Sequence, residues 1–84
     1  MMLTRLKESD NRVVGSKQTL KALKGERVEH LFIAKDAETR ITDPLVELAK
    51  KSNVPIHYVD TMAELGEAAG IEVGAAAAAI LKDQ

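Results

Sequence analysis

Apolar positions along the chain switch repeatedly between a helical and an extended spacing. Leu3 and Leu6 suggest a short first helix from Leu3 to Ser9, stopped by Asp10-Asn11. Val13-Val14 opens a strand. Leu20 and Leu23 mark the inner side of a second helix from Lys17 to Lys24, with Ser16 as N-cap and Gly25 as a left-handed C-cap. His30-Leu31-Phe32-Ile33-Ala34 is a nearly continuous apolar run, of the kind buried on both faces of a parallel sheet. A third helix is predicted to start at Asp43-Pro44, where proline is preset for the first helical position. It turns Leu45, Leu48 and Ala49 inward and ends at Asn53. Ile56-His57-Tyr58-Val59 reads as a short strand. Thr61-Met62-Ala63-Glu64 is a capping box for a fourth helix that buries Leu65, Ala68 and Ala69 and closes at Gly70.

This alternation predicts an α/β fold, a three-layer α/β/α sandwich with helices on both faces of a small sheet. Residues 1–84 are expected to form one domain, near the lower limit at which a core holds a fold without staples. Ile71-Glu72-Val73 reads as an apolar loop. The tail Gly74–Leu81 is ambiguous, because alanine is the best helix former while small side chains also suit a central strand between helices. The residues leave those two readings even. A loose end is expected only over the last three residues.

Composition then removes several kinds of chemistry. With no cysteine there are no disulfides and no thiolate metal ligands. His30 and His57 fall in predicted strands and read as half-buried structural residues, a poor zinc set on their own. Ser9, Ser16 and Ser52 lack the context of an activated nucleophile. Asp36 with Glu38, and Glu64 with Glu67, read as solvated acidic surface. The spacing of Gly66, Gly70 and Gly74 is no dinucleotide fingerprint and suits capping, loop shaping and close packing instead. The expectation is a non-enzyme, with no catalytic residue, no metal and no cofactor. The amino end lacks the apolar stretch of a signal peptide, and Gly74–Leu81 is far shorter than the roughly 20 residues that span a bilayer. A cytoplasmic protein without a membrane partner is expected.

Charge changes the picture most. The net charge is −1, yet residues 1–27 hold seven cations against three acids, and the remainder five cations against ten acids. One basic and one acidic surface follow from such a split. Lys17, Lys21 and Lys24 fall within an arc of roughly 60° on the second helix, beside the positive end of its dipole. Lysines at a helix N-terminus suit phosphate, and a glutamine there can read a base edge bidentately. No helix–turn–helix pair is evident for DNA. The two aromatics, Phe32 and Tyr58, read as core strand residues rather than stacking platforms.

Three segments together resemble the kink-turn-binding ribosomal-protein superfamily, which includes the archaeal L-seven-Ae and eukaryotic L-thirty-e proteins, and most of all its small bacterial YbxF-like branch. They are Gly15-Ser16-Lys17-Gln18-Thr19-Leu20-Lys21, Ile33-Ala34-Lys35-Asp36-Ala37 and Leu65-Gly66-Glu67-Ala68-Ala69-Gly70-Ile71-Glu72-Val73. The resemblance implies that the alanine-rich tail is a strand, which makes the α/β/α sandwich one with a small, roughly four-stranded mixed sheet. It also implies binding to RNA that contains a kink-turn, a sharply bent element with tandem sheared G·A pairs, and makes the ribosome a further candidate partner. By position, Lys17 and Gln18 would contact guanine edges, with Lys21 supporting through guanine or phosphate. Gly15 and Ser16 would bring the backbone close, and Ile71, Glu72 and Val73 would cover the protruding nucleotide. Lys35 and Asp36 would lie on a flanking loop. Archaeal members usually carry Asn-Glu where this chain has Lys17-Gln18, and the cationic pair should make binding more salt-sensitive. The alternative reading is a protein-interaction module of the same fold that has lost specific RNA binding. A monomer is expected, since no long apolar stripe is left over.

Overall fold

The central strands show how one short sequence serves two cores. In the computed structural model, which describes residues 2–82, β2 (Val28–Ala34) and β4 (Ala77–Leu81) lie side by side in the middle of a four-stranded sheet. Their side chains alternate between faces, as strand geometry requires. Phe32, Ala34, Ala78 and Ile80 pack on one side, with Leu6 of α1 (Met2–Glu8) and Leu65 and Ala68 of α4 (Met62–Ala68). Leu31, Ile33, Ala77, Ala79 and Leu81 pack on the other, with Ala22 and Leu23 of α2 (Ser16–Lys24) and Leu45 and Ala49 of α3 (Thr39–Lys51). A register shift between Val28 and His30 lets Val28 join the second cluster. The result is the expected helix–sheet–helix layering.

The strand order is β1-β4-β2-β3, with β1 at Arg12–Val14 and β3 at Ile56–Val59. β4 runs antiparallel to both β1 and β2, and β3 runs parallel to β2. The alanine run is therefore a strand with ladders on both sides. Five residues gain little from local helix propensity, since isolated helices below about 12–15 residues are marginal. Ala77, Ala78 and Ala79 are fully buried, and their small side chains let both helical layers close onto the sheet. The expected loose end is partly corrected, because the Lys82 amide donates to the Arg27 carbonyl at 2.7 Å. Residues 83 and 84 lie outside the described residues.

Helix ends differ from expectation in three places. Ser16 is the first helical residue, not the cap. Gly15 holds the cap position at φ 98°, and no side chain caps the helix. At the other end Gly25 keeps φ −84°, and the left-handed residue is Glu26 at φ 55°. Glu26 and Arg27 donate back to Leu23 and Ala22, so the reversal falls one residue later than the glycine suggested. Helix α3 begins at Thr39, five residues before Pro44, which sits inside the helix on its exposed side. Its missing donor thus falls where water can serve the vacated carbonyl. Asn53 at φ 57° and Gly70 at φ 85° end α3 and α4 as expected. Thr61 Oγ1 accepts from the Glu64 amide at 3.1 Å, which is half of the expected capping box.

Candidate nucleic-acid interface

Strands β1, β2 and β3 share one direction, so their C-terminal ends meet the start of β4 at a single end of the sheet. The chain turns at this end produce α2, α3 and α4, and the segment 70–76 returns here. Short backbone bonds lock these pieces together. Gly15 N–H donates to Ala77 O at 2.8 Å, Ala34 to Ala76 at 3.0 Å, and Lys35 to Val59 at 2.8 Å. Ala75 donates to Met62 O at 3.0 Å, which ties the returning segment to α4. Ligands in α/β folds gather at such carboxyl ends, where loops are free to vary over a fixed scaffold.

Gly15 makes the α2 turn possible, because φ 98° is strained for any side chain and nothing lies within 4 Å of where its Cβ would be. Its carbonyl accepts from Thr19 N–H at 3.0 Å, closing the first helical turn. With no capping side chain, the amides of Ser16, Lys17 and Gln18 donate to no protein acceptor among the described residues. They present the positive end of the helix outward. Lys17, Gln18 and Lys21 are exposed. No ion pair engages Lys17, Lys21 or Lys24 among the described residues. Inward, Thr19, Ala22 and Leu23 fix the rotation of the helix.

Not every cation of the basic amino-terminal third is available. Arg12 is half-buried and donates to the carbonyls of Ala69, at 3.0 Å, and of Ser9. It clamps the carboxyl ends of α1 and α4, where a positive charge suits the helix dipoles. Arg5 pairs with Glu29 at 3.2 Å. The α2 stripe stays free, about 10 Å long from Lys17 to Lys24 at helical rise, and Lys7 and Arg27 are likewise exposed and without an ion pair among the described residues.

The flanking residues divide by task. Lys35 forms an exposed ion pair with Asp60 at 3.2 Å. Asp36 is engaged structurally, since its Oδ1 accepts from Met62 N–H at 2.8 Å and so serves the first turn of α4. In the loop, Ile71 turns inward and packs on the α1/α4 core, whereas Val73 is 71% exposed and Glu72 is exposed. Gly66 allows this loop to lie against α4, for a Cβ there would sit 2.1 Å from the Val73 carbonyl oxygen. The geometry thus gathers Gly15, Ser16, Lys17, Gln18, Lys35, Asp36 and the segment leading from Val73 to Ala77 at one end. Lys21 lies one turn further along α2.

Tyr58 is a correction. Read as core, it is 55% exposed, although its register partner Ile33 on the same face is buried. Strand β3 is an edge strand, and α3 does not cover its outer rim. The short length and the preceding Pro55 were available signals of an edge. His30 and His57 are half-buried as expected, with His30 Nδ1 and His57 Nε2 3.0 Å apart. Burial first, then the charges of His30 and Arg5, hold the His57 imidazole below its ordinary value of 6.5. No cluster of three or more metal-ligating side chains occurs among the described residues. No helix among them is long and apolar enough to cross a membrane.

The profile of the ribosomal protein L7Ae/L30e/S12e/Gadd45 family matches residues 2–84. The chain belongs to that family. Among L7Ae/L30e-type relatives, it is 45% identical over 82 residues to the RNA-binding protein BH0128 of Halalkalibacterium halodurans, covering 98% of this chain and 100% of that protein. It is 44% identical over 70 residues to the RNA-binding protein YbxF of Geobacillus stearothermophilus, covering 83% of this chain and 85% of that one. The solved structure of the Giardia lamblia 15.5kD RNA binding protein superposes with a TM-score of 0.85 at 24% identity, over 99% of this chain and 72% of that one. That likeness establishes the fold. The L7Ae/L30e-family architecture and the YbxF-like resemblance read from the sequence are both borne out.

Proposed function

We propose that this chain binds RNA through the α2 end of the sheet and recognises kink-turns by stabilising their bent form. Family membership and the RNA-binding relatives support RNA as the ligand. The observation that carries the reading is the hydrogen bond from Gly15 to Ala77, which fixes the open N-terminus of α2 next to the segment that follows Val73. That end of the sheet offers uncapped amides and unpaired lysines on α2 and, on the returning segment, the exposed Val73 side chain.

Each part has a task on a bent RNA. A kink crowds phosphates, and the α2 amides with Lys17 and Lys21 supply positive charge where that crowding is greatest. Lys17 and Gln18 face base edges in the opened groove, with Gln18 able to donate and accept in one plane. Val73 covers an unstacked base that would otherwise meet water. Lys35 flanks this surface, while Asp36 holds the α4 end in place. The ribosome, or structured RNA elsewhere in the cytoplasm, would present such a motif. No cofactor or chemical step is required.

Because these contacts exist only with the bent RNA, binding shifts its population. Moving a bent form from one in a hundred to ninety-nine requires about 5.5 kcal/mol of differential affinity. Base contacts at about 1–3 kcal/mol each, with phosphate attraction added, are of that size.

The test is an RNA titration at two salt concentrations. It compares a kink-turn with a control whose G·A pairs are replaced by Watson–Crick pairs. Tight binding to the first alone is expected, with Lys17→Ala and Gln18→Ala each weakening it at least about fivefold. Both residues are exposed, so the unfolding midpoint should hardly move. Equal affinity of wild type and the double variant would refute this site.

A further inference from the structure

A second groove opens beside the proposed interface, between α3 and the β3 edge. It encloses about 410 Å³ and is lined by Lys35, Thr39, Asp43, Val46, Lys50 and Tyr58 among others. Tyr58 leaves half its surface to solvent there. From Thr39 to Lys50 the groove follows α3 for about 16 Å at helical rise. A lysine thus stands toward each end, with an aromatic ring and an exposed carboxylate between them.

We infer that this groove holds an unpaired nucleotide of the same RNA, its base stacked on Tyr58 and its flanking phosphates met by Lys35 and Lys50. The inference rests on the RNA-binding reading for its ligand class. Its geometric basis is separate, since none of the α2 residues lines the groove.

The groove offers a cation toward each end and an aromatic ring with an apolar neighbour between them, the set of groups that meets the phosphates and the base of a single strand. An aromatic ring accepts any base by its face, and such stacking strengthens binding roughly 5- to 150-fold per base. Val46 adds an apolar side chain to the same lining. Asp43 accepts hydrogen bonds only, when ionised, so it favours a base with an amino group, such as cytosine, over uracil. Lys35 is paired with Asp60, but both side chains are largely exposed. Exposed pairs of that kind are weak, and a phosphate can take the place of Asp60. Lys35 lies on the loop next to the β2 end, so the strand leaving the α2 site has a path into the groove.

The chain has one tyrosine, one phenylalanine and no tryptophan, which isolates the Tyr58 ring signals in an NMR spectrum. Isotope-labelled protein is titrated with the trinucleotides CpCpC and UpUpU and with orthophosphate. CpCpC should move the Tyr58 ring resonances upfield to saturation, with UpUpU several-fold weaker and orthophosphate without effect on the ring. Lys50→Ala should weaken CpCpC about fivefold, and Asp43→Ala should erase the preference for cytosine. Tyr58→Phe should retain the response, read on the substituted ring and on the Val46 methyls. A ring that does not move, a shift that never saturates, or an unchanged affinity in Lys50→Ala overturns the inference. Lost kink-turn binding with an intact Tyr58 response would count against the α2 reading alone. The converse result would count against this groove alone.

Discussion

Replacing Gly66 with alanine sets helix propensity against tertiary packing, and the structure says which wins. Gly66 lies inside α4, where alanine is favoured by about 1 kcal/mol in an unconstrained helix. The added Cβ would stand 2.1 Å from the Val73 carbonyl oxygen and 3.1 Å from the Gly74 Cα. Ordinary carbon–oxygen contact begins near ~3.3 Å, so the two backbones must separate by about 1.2 Å. Neither neighbour is a flexible side-chain tip. The 71–75 segment is pinned by Ile71 N–H on Gly66 O and Ala75 N–H on Met62 O, both 3.0 Å. Overpacking typically costs about 1–3 kcal/mol, and each backbone bond broken to relieve it about 1 kcal/mol. The helix-propensity gain offsets only part of this, leaving Gly66→Ala less stable by about 2–3 kcal/mol. With a urea slope near ~1 kcal/mol per molar, the midpoint should fall by about 2–3 M in a circular-dichroism melt. Gly25→Ala is the matched control, since it has φ −84° and no neighbour nearer than 3.5 Å to its added Cβ. It should be neutral or slightly stabilising. A Gly66→Ala midpoint equal to or above wild type would show that the loop yields freely, and the packing argument would fail. The same variant should lose more affinity for an RNA with a protruding nucleotide than for one without it.

Other perturbations separate structural from recognition roles. Asp36→Ala and Thr61→Ala each remove an acceptor from the first turn of α4 and should cost about 1 kcal/mol in urea melts. Asp36→Asn keeps an acceptor and should cost less. Unchanged stability in Asp36→Ala, with RNA binding lost, would make Asp36 a direct contact instead. Thr19 buries a hydroxyl without a hydrogen-bond partner among the described residues, so Thr19→Val keeps the shape and should stabilise the fold by about 1 kcal/mol. A destabilised Thr19→Val would mean that the hydroxyl is served by water. His57 has a folded-state value below 6.5, so the unfolded chain binds the proton more readily. Stability should be full above about pH 6.5 and decline as pH falls toward the folded-state value. Urea midpoints across this range should show a shallower decline in His57→Gln, and an identical decline in both proteins would refute the assignment.

Much of the fold was legible because local and tertiary preferences agree. Apolar spacing located all four helices and three strands, and turn residues such as Asn53 and Gly70 ended helices where left-handed backbone was needed. The α2 lysine stripe was legible for the same reason, since one helical period puts the lysines outside and Ala22 and Leu23 inside. The alanine tail shows the limit. Its residues fit helix and strand equally, and only ladders to β1 and β2 on either side make it β4.

The tertiary structure also decided which charges are free. Arg12 and Lys17 look alike in the sequence, yet one closes two helix ends and the other is unpaired among the described residues. Tyr58 and Phe32 both sit in apolar strands, but the first lies on an edge and the second in the centre. Residue type and period set what each side chain can do and which face of its own element it occupies. Which partner covers that face, or whether water does, depends on strands and helices distant in the chain.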